Sequence, residues 1–462
     1  METQISRGWN EIPNVVLDQI FAYLSWPDKV NASSTCKRWR CGLYHPCFWK
    51  SISFSLKMMN KDKEEKAKYF MHTFGKIVRN VDILFDSLDP MSSLLTDDLL
   101  NILSGNTQLN RLMLIPNHCA LYPSKNNSCN ASVLNSSRMY HHILTILTKT
   151  DKLEELSIGC LHDLIVYCNQ ILKTIADHHS KTIRILGIAS MKYDPEEYVY
   201  DSLDFHYLKN YENLQVLSVN YDYVNDDFLQ VLCSCSSLKR IIIHIHSNVQ
   251  DHPGTTDAKW TELVKYCPNV ELRLNVIHAY YAALELEKTI LKKAMPLTHL
   301  RLFFCETLND NALNSLHMYS NSLRSLWWVD SPVYSDSDVL VKDDFNMGNM
   351  NPFIFASWRC VNLEEIVLIG YKYFVDDLRA ISRLRGNVLK NLVVLRSEMM
   401  ESFDDTASPT TTSKEIEQEV SECMGKSWKP MKKKDVHPVI FHPDKYDSDE
   451  YLIPILCKDL EL

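Results

Sequence analysis

Histidine and cysteine are the residue types in this chain whose spacing could build a metal site or a nucleophile. Histidines occur in close pairs, which are His141-His142, His178-His179 and His244 with His246. Zinc coordination would need cysteine or acidic ligands at matched spacing, and none accompanies these pairs. We therefore expect the histidines to lie on the surface of the fold, and we assign no metal ligand.

Cysteine and glycine usage excludes further classes of chemistry. The 14 cysteines are scattered without a Cys-x-x-Cys pair, which is typical of a protein in a reducing, intracellular compartment. The 11 glycines form neither a GxGxxG nor a GxxxxGK[ST] motif, and neither G-x-S-x-G nor H-E-x-x-H occurs. We predict no catalytic residue, no cofactor and no enzymatic activity.

Charge is unevenly distributed along the 462 residues. Residues 1–80 contain 13 Lys/Arg and 7 Asp/Glu, a net charge of +6, whereas the remainder contains 36 and 51, a net charge of −15. A basic head favours an acidic partner at the amino end. Basic and aromatic residues are not interleaved in one patch, so we expect no nucleic-acid partner. No run of 18 apolar residues occurs, so we expect no membrane segment.

The segment from Trp9 to Phe54 predicts a small helical module. Asn14 after Pro13 favours a helix start. Apolar residues at helical spacing follow, namely Leu17, Ile20, Phe21 and Leu24. A second apolar set contains Val30, Cys36, Trp39, Leu43, Phe48 and Trp49. So short a segment buries too little surface to be stable alone, and its extra apolar face packs either on the rest of the chain or on another protein.

The order of these residues resembles the F-box over residues 9–55. The match is specific because of three residues, namely Cys36 and Trp39, which we place at the close of the third helix, and Trp49 ten residues later. Lys29 and Thr35 depart from the family pattern, which usually has Leu and Val there. The resemblance implies a module that binds the acidic Skp adaptor and, through it, a cullin scaffold.

The resemblance also implies which residues contact the adaptor. They are Pro13, Leu17, Ile20, Phe21, Leu24, Val30, Cys36, Trp39 and Trp49. Some of them must instead hold the three helices together, and Trp39 and Trp49 are the best candidates because large aromatic residues serve cores as readily as interfaces.

A phrase of three apolar residues recurs from residue 78 to residue 394. Its first copy is Val78-Val81-Ile83 and its last is Leu389-Leu392-Val394, with 24 to 44 residues between successive starts. This is a loosened form of the L-x-x-L-x-L period of leucine-rich repeats. Each unit buries its apolar side against its neighbours, so we expect a curved solenoid. An ordinary α/β domain with parallel strands is the alternative.

Acidic and Asn residues predict where the helices of the repeats begin. The four predicted starts are Thr96-Asp97-Asp98, Asn225-Asp226-Asp227, Asn309-Asp310-Asn311 and Val375-Asp376-Asp377. Such residues cap a helix and complement its dipole. A repeat unit is therefore a strand, a loop and a capped helix.

The predicted fold class is α/β, with a small helical F-box followed by a curved leucine-rich-repeat solenoid of short parallel strands and helices. We divide the chain into an F-box at 9–55, a helical connection at 56–77, the repeat array at 78–400, and a linker, capping helix and flexible tail at 401–462. Ile453, Ile455 and Leu456 are candidates to fold back on the array. The start of the array, residues 69–76, resembles the F-box-only subgroup that includes members thirty-three and thirty-nine.

The resemblance favours a substrate-recognition subunit of a Skp-cullin-F-box ubiquitin ligase, which docks the adaptor through the F-box and binds a target protein through the repeats. A Skp-bound scaffold outside a cullin ligase is the alternative. We expect target contacts on the concave strand face, from Glu154, Glu155, Gln215, Lys239, Arg324 and Glu364. We expect a cytoplasmic location, and the lysines at 432–434 leave nuclear residence open.

Overall fold

The computed structural model describes residues 9–57, 60–122, 129–193, 202–246, 252–332, 351–400 and 413–462. The strands are β1 (Ser51–Ser55), β2 (Asn80–Phe85), β3 (Arg111–Pro116), β4 (Glu155–Ser157), β5 (Ile185–Gly187), β6 (Val216–Asn220), β7 (Arg240–Ile245), β8 (Glu271–Ile277), β9 (Leu297–Phe303), β10 (Ser325–Val329), β11 (Glu365–Ile369), β12 (Tyr373–Phe374), β13 (Asn391–Val394) and β14 (Met399–Met400). The α-helices are α1 (Asn14–Tyr23), α2 (Trp26–Ser33), α3 (Lys37–Leu43), α4 (Lys61–Phe74), α5 (Pro90–Leu103), α6 (Cys129–Lys149), α7 (Cys168–His178), α8 (Asp226–Leu232), α9 (Asp257–Tyr266), α10 (Tyr280–Leu284), α11 (Asp310–Ser315), α12 (Pro352–Arg359), α13 (Val375–Arg385), α14 (Ser413–Met424) and α15 (Asp449–Lys458).

Twelve strands form one parallel sheet in which each strand lies beside the next one along the chain, from β1 to β11 and then β13. The register carries the apolar phrase across the sheet, so that Val81 and Ile83 of β2 lie opposite Leu112 and Leu114 of β3. These side chains belong to one continuous core between the sheet and the helices. A strand order without reversal confirms the leucine-rich-repeat-like solenoid, because each unit packs only on its neighbours.

The amino-terminal module consists of α1, α2 and α3. Leu17 and Phe21 of α1 are buried, and Gly42 of α3 lets the two helices approach, since a Cβ there would lie 2.9 Å from Leu17 Cδ2. The predicted position of the Cys36-to-Trp39 motif is wrong: Cys36 precedes α3 as its N-cap, and its Sγ accepts a hydrogen bond from the Trp39 backbone N–H. The motif therefore opens the third helix rather than closing it.

The F-box module and the solenoid share the sheet. Strand β1, which the repeat phrase did not reveal, pairs in parallel with β2 from Ser51↔Asn80 to Ser55↔Leu84. Residues 51–55, placed at the end of the F-box by the sequence, are thus the first strand of the array. The helical connection contains α4, which begins after the Asn60 cap.

Three of the four predicted helix starts agree with the structure. Asn225 caps α8, Asn309 caps α11, and α13 begins at Val375. The prediction at residues 96–98 is wrong, because α5 begins earlier, where Asp89 caps the helix through the Ser92 N–H and Pro90 occupies the first turn. Asp followed by Pro is a strong start signal.

The carboxyl-terminal residues are folded onto the array. Helix α14 contributes Ile416 and Val420 to the main core, and residues 429–462, here called the arm, return across the sheet on the side opposite the helices. The predicted capping helix is α14 itself. The expectation of a flexible tail is wrong for the arm, since Ile453 and Leu456 are buried and Ile455 packs against the same cluster, so these three residues fold back on the array. The linker at 401–412 lies outside the described residues.

Candidate functional site

The adaptor residues inferred from the sequence divide into interior and accessible groups. Leu17, Phe21 and Trp49 are buried within the chain. Phe21 packs between Trp39 and Phe48, with ring centroids 5.9 and 5.7 Å away. Their burial shows that these three positions hold the module together, and their contact with an adaptor stays a prediction.

The accessible group lies mainly on α1 and α2. Pro13 and Val30 are exposed, whereas Ile20, Leu24, Cys36 and Trp39 are partly covered. Trp39 also donates from Nε1 to the Trp9 carbonyl at 3.1 Å, which ties the incoming chain to α3.

Helix α1 carries an exposed apolar face that was not assigned to the adaptor from the sequence. Tyr23 is 92% exposed, Val15 70% and Val16 43%. A cleft of 610 Å³ beside it is lined by Val15, Ala22 and Phe48 together with polar residues, namely Asp18, Gln19, Lys29, Lys50 and Ser51. Large apolar side chains gathered on one exposed face mark an interaction surface. In the sequence, the helical spacing of Val16, Gln19 and Tyr23 was the signal from which this face could have been found.

The six predicted target residues lie along one margin of the sheet, at or just before the amino ends of their strands. Most of them pair with the neighbouring unit: Glu154 with Arg184, Glu155 with Arg111, Gln215 with Lys239, and Glu364 with Lys390. Arg324 instead reaches past β9 to Glu271 of β8. The hydrogen bond from Lys152 lowers the pKa of Glu154. Gln215 and Lys239 also line a cleft of 420 Å³. Their role in target binding stays a prediction.

The strand face between this margin and the opposite one is covered by the arm. The contact begins at Met431, whose backbone N–H donates to the Val394 carbonyl and whose carbonyl accepts from the backbone N–H of Arg396. Helix α15 then packs Leu452 and Leu456 against a cluster that includes Phe303. Near its end, Leu460 packs on four strand-face residues, namely Met113, Ile185, Val216 and Ile242. The expectation of an open concave face is therefore wrong for the described residues.

Asp459 is the buried charge at this contact, with 2% of its surface exposed. Its carboxylate accepts from Arg301 Nη1 at 2.9 and 2.8 Å and from Asn275 Nδ2 at 3.2 Å, and it also bonds Arg273. Burial opposes ionisation of Asp459, but the charges of Arg301 and Arg273 outweigh it and lower the pKa of the carboxyl. The site therefore holds an ionised carboxylate.

The paired histidines are not all surface residues, contrary to expectation. His179, His244 and His246 are buried. The ring of His179 lies 2.7 Å from the Leu147 carbonyl and accepts from the Leu153 N–H, so it bridges two repeats. Burial lowers the pKa of His244 to about 4, which keeps this imidazole neutral beneath the arm.

Within the part of the chain that the structure describes, one group of three side chains has the composition of a metal site: His118, Asp447 and Asp449, with ligand atoms within 4.8 Å of one another. These groups already bond each other and the backbone. His118 lies 3.1 Å from Asp447, and Asp449 accepts from the Cys119 N–H at 2.7 Å. These hydrogen bonds hold the start of α15 against the loop that follows β3. In the same ranges, no helix has the length and apolar character to cross a bilayer.

Comparison with known proteins agrees with this architecture. A family model described as F-box-like matches residues 9–55. The chain is 23% identical to F-box/LRR-repeat protein 21 of Ovis aries over 450 residues, which cover 93% of this chain and 90% of the relative. It is 20% identical to F-box only protein 33 of Mus musculus over 482 residues, covering 92% and 83%. The human F-box only protein 33 is 19% identical over 479 residues, with the same shares.

The module of α1 to α3 lies within the segment that the F-box-like model matches, and the relatives extend over the solenoid as well. This chain thus carries an F-box-like domain at its amino terminus, followed by a leucine-rich-repeat-like solenoid, and its homologues are F-box/LRR-repeat protein 21 and F-box only protein 33.

Proposed function

We propose that this chain is a substrate-recognition subunit of a Skp-cullin-F-box ubiquitin ligase. In this role the F-box helices dock the Skp adaptor, which bridges to a cullin, and the solenoid binds a target protein. The names of the homologues point to an adaptor subunit rather than to a catalytic family. The chain would act by positioning, since holding a target near a conjugating enzyme raises its effective concentration.

The observation that carries the proposal is the exposed apolar face of α1 on a module that is joined rigidly to the solenoid. Val15, Val16 and Tyr23 point away from the module core, while β1 extends the sheet directly from that module. A partner on α1 would therefore be held in a defined geometry relative to a target on the repeats. The basic charge of residues 1–80 suits an acidic adaptor.

The test compares a tagged full chain with a Val16→Glu/Tyr23→Glu variant in cells. Charges placed in a desolvated interface cost free energy, so we expect the wild type to co-purify the Skp adaptor and a cullin and the variant to lose both. Tyr266→Glu is the matched control, because Tyr266 is also exposed but lies on α9 of the solenoid. Equal melting temperatures would show that all three proteins are folded.

Two other results would redirect the proposal. Recovery of the adaptor without a cullin would favour a Skp-bound scaffold outside the ligase. Full recovery of the adaptor by the α1 variant would place docking on another face of the module and contradict the role of α1.

A further inference from the structure

Three arginines on consecutive strands form a cationic cluster beneath the arm. Arg240 of β7, Arg273 of β8 and Arg301 of β9 all face residues 459–461. Arg240 donates to the Asp459 carbonyl at 2.9 Å, while the other two bond the Asp459 carboxylate. Two guanidinium groups that converge on one carboxylate form charge-assisted hydrogen bonds with it, which are stronger than bonds between neutral groups.

The cluster is incompletely satisfied by the arm. Arg273 Nε, Arg301 Nε and Asn275 Oδ1 are buried there without a hydrogen-bond partner. Buried polar atoms without partners disfavour the state that buries them. The arm therefore satisfies only part of the hydrogen-bonding capacity of the cluster. A segment that offers acceptors to the two Nε–H groups and a donor to Asn275 Oδ1 would bind more completely.

The sign of the local charge also selects the occupant. Residues 81–462 carry a net charge of −15, yet this part of the strand face presents three arginines, with Glu271 beside Arg240 at 3.6 Å. Removing Asp459 would leave an excess of positive charge in a largely buried site. An anion must therefore accompany any segment that covers the face.

The arm shows which shape the face accepts. Leu452, Leu456 and Asp459 occur at positions i, i+4 and i+7, which lie on one side of a helix or its continuation. The two leucines are buried in an apolar cluster, and the Asp459 side chain is buried among the arginines. The pattern is an apolar helical stripe with one acidic residue a turn beyond it.

We propose that Arg273 and Arg301, with Arg240 binding the adjoining backbone carbonyls, form a carboxylate-binding site for target recognition, which Asp459 of the arm occupies until a target displaces it. The target segment is an apolar helical stretch followed by one Asp or Glu that takes the position of Asp459. The identification of this segment as a ligase target rests on the proposed function, whereas the carboxylate site itself does not.

The experiment uses the full chain with Asp459→Asn, which weakens the arm without changing its shape. The probe is a fluorescein-labelled peptide of residues 447–462 with Cys457→Ser, and its matched control carries Asp459→Asn as well. We expect the acidic peptide to bind the variant chain at least ten times more tightly than the control peptide in fluorescence anisotropy. Adding Arg273→Gln/Arg301→Gln to the chain should abolish the difference. Equal affinity of the two peptides would overturn the proposal.

Cysteine alkylation in the wild-type chain gives a second readout that needs no destabilised variant. Cys457 of the arm lies in an apolar cluster with Cys160 of the array. At saturating acidic peptide, we expect Cys457 to become alkylated, as the arm is displaced, while Cys160 stays protected beneath the peptide. Exposed Cys41 is the positive control and buried Cys305 the negative one. Protection of Cys457 at every peptide concentration would overturn displacement, even if Asp459→Asn fails to fold.

Failure of this inference is distinguishable from failure of the proposed function. Capture of the Skp adaptor and a cullin depends on α1, which is separate from the arginine cluster. Loss of peptide discrimination with intact adaptor capture would contradict the carboxylate site alone. Peptide discrimination without adaptor capture would contradict the ligase role and retain the site.

Discussion

The indole of Trp49 stacks on the ring of Phe74, with the ring centroids 3.4 Å apart and the ring planes inclined by 15°. Trp49 follows the three helices of the F-box-like module and Phe74 ends α4, so the stack joins this module to the first repeat. The Trp49 Nε1 also donates to the Leu43 carbonyl at 2.6 Å. The junction is therefore a packed part of the core and not a linker.

Replacing Trp49 by Ala should loosen this junction. Loss of a buried Trp costs about 3–5 kcal/mol, and we expect faster amide hydrogen exchange in β1 and α4 with little change in β9. Trp358→Ala is the control, because Trp358 is about half exposed on α12. Unchanged exchange in β1 would contradict a structural role for the stack.

Leu17→Ala should destabilise the module itself. Leu17 is buried against Gly42, and such a truncation costs about 2–5 kcal/mol. Val16→Ala next to it removes an exposed side chain and should change stability by less than about 1 kcal/mol. Hydrogen exchange of α1 to α3 measures both, and loss of adaptor binding by Leu17→Ala with native protection would show that Leu17 contacts the adaptor after all.

Gly370→Ala should destabilise the carboxyl-terminal repeats. Gly370 has a φ of 95°, and an added Cβ would lie 2.4 Å from the Asp330 carbonyl oxygen. We expect a loss of more than about 1 kcal/mol. Gly105→Ala is the control, since its Cβ would meet the Ile102 carbonyl oxygen at an ordinary 3.5 Å. Thermal melting of the two variants compares them, and equal melting temperatures would contradict the steric argument.

Glu398 should make stability fall as pH rises toward 8. Burial raises the pKa of its carboxyl to about 8, although the bond from the Gly370 N–H opposes the rise. The folded state therefore retains a proton that the unfolded chain releases above its ordinary pKa near 4.5, and stability is lost progressively between these values. Asp330, whose pKa burial raises to about 7, adds a loss of the same sign.

Glu398→Gln isolates the contribution of this carboxyl, because the amide imitates its protonated form. We expect the variant to melt at a higher temperature than the wild type at pH 8.5 and to show a smaller decrease between pH 6 and 8.5. Exposed Glu450→Gln should leave the wild-type profile unchanged. Parallel profiles of wild type and Glu398→Gln would exclude Glu398 as a source of the pH dependence.

The sequence by itself determined the repeating part of the fold. The spacing of apolar residues such as Leu112 and Leu114 located strands of the sheet. Successive side chains of a strand point to opposite faces, so apolar residues two positions apart mark the face that meets the core. Asn225 and Asn309 located helix starts for an equally local reason, since a cap bonds the backbone two or three residues away. The resemblance of residues 9–55 to the F-box was confirmed.

Only the tertiary structure decided which surfaces are free. Helix α1 has two apolar faces; the one with Leu17 is buried in the module core and the one with Tyr23 is exposed, and this choice depends on how α1 meets α3. Asp459 bonds Arg301 across 158 residues, and no local pattern in the chain specifies such a partner. Long-range packing depends on many weak contacts acting together, and it alone closes the strand face that the repeat pattern predicted to be open.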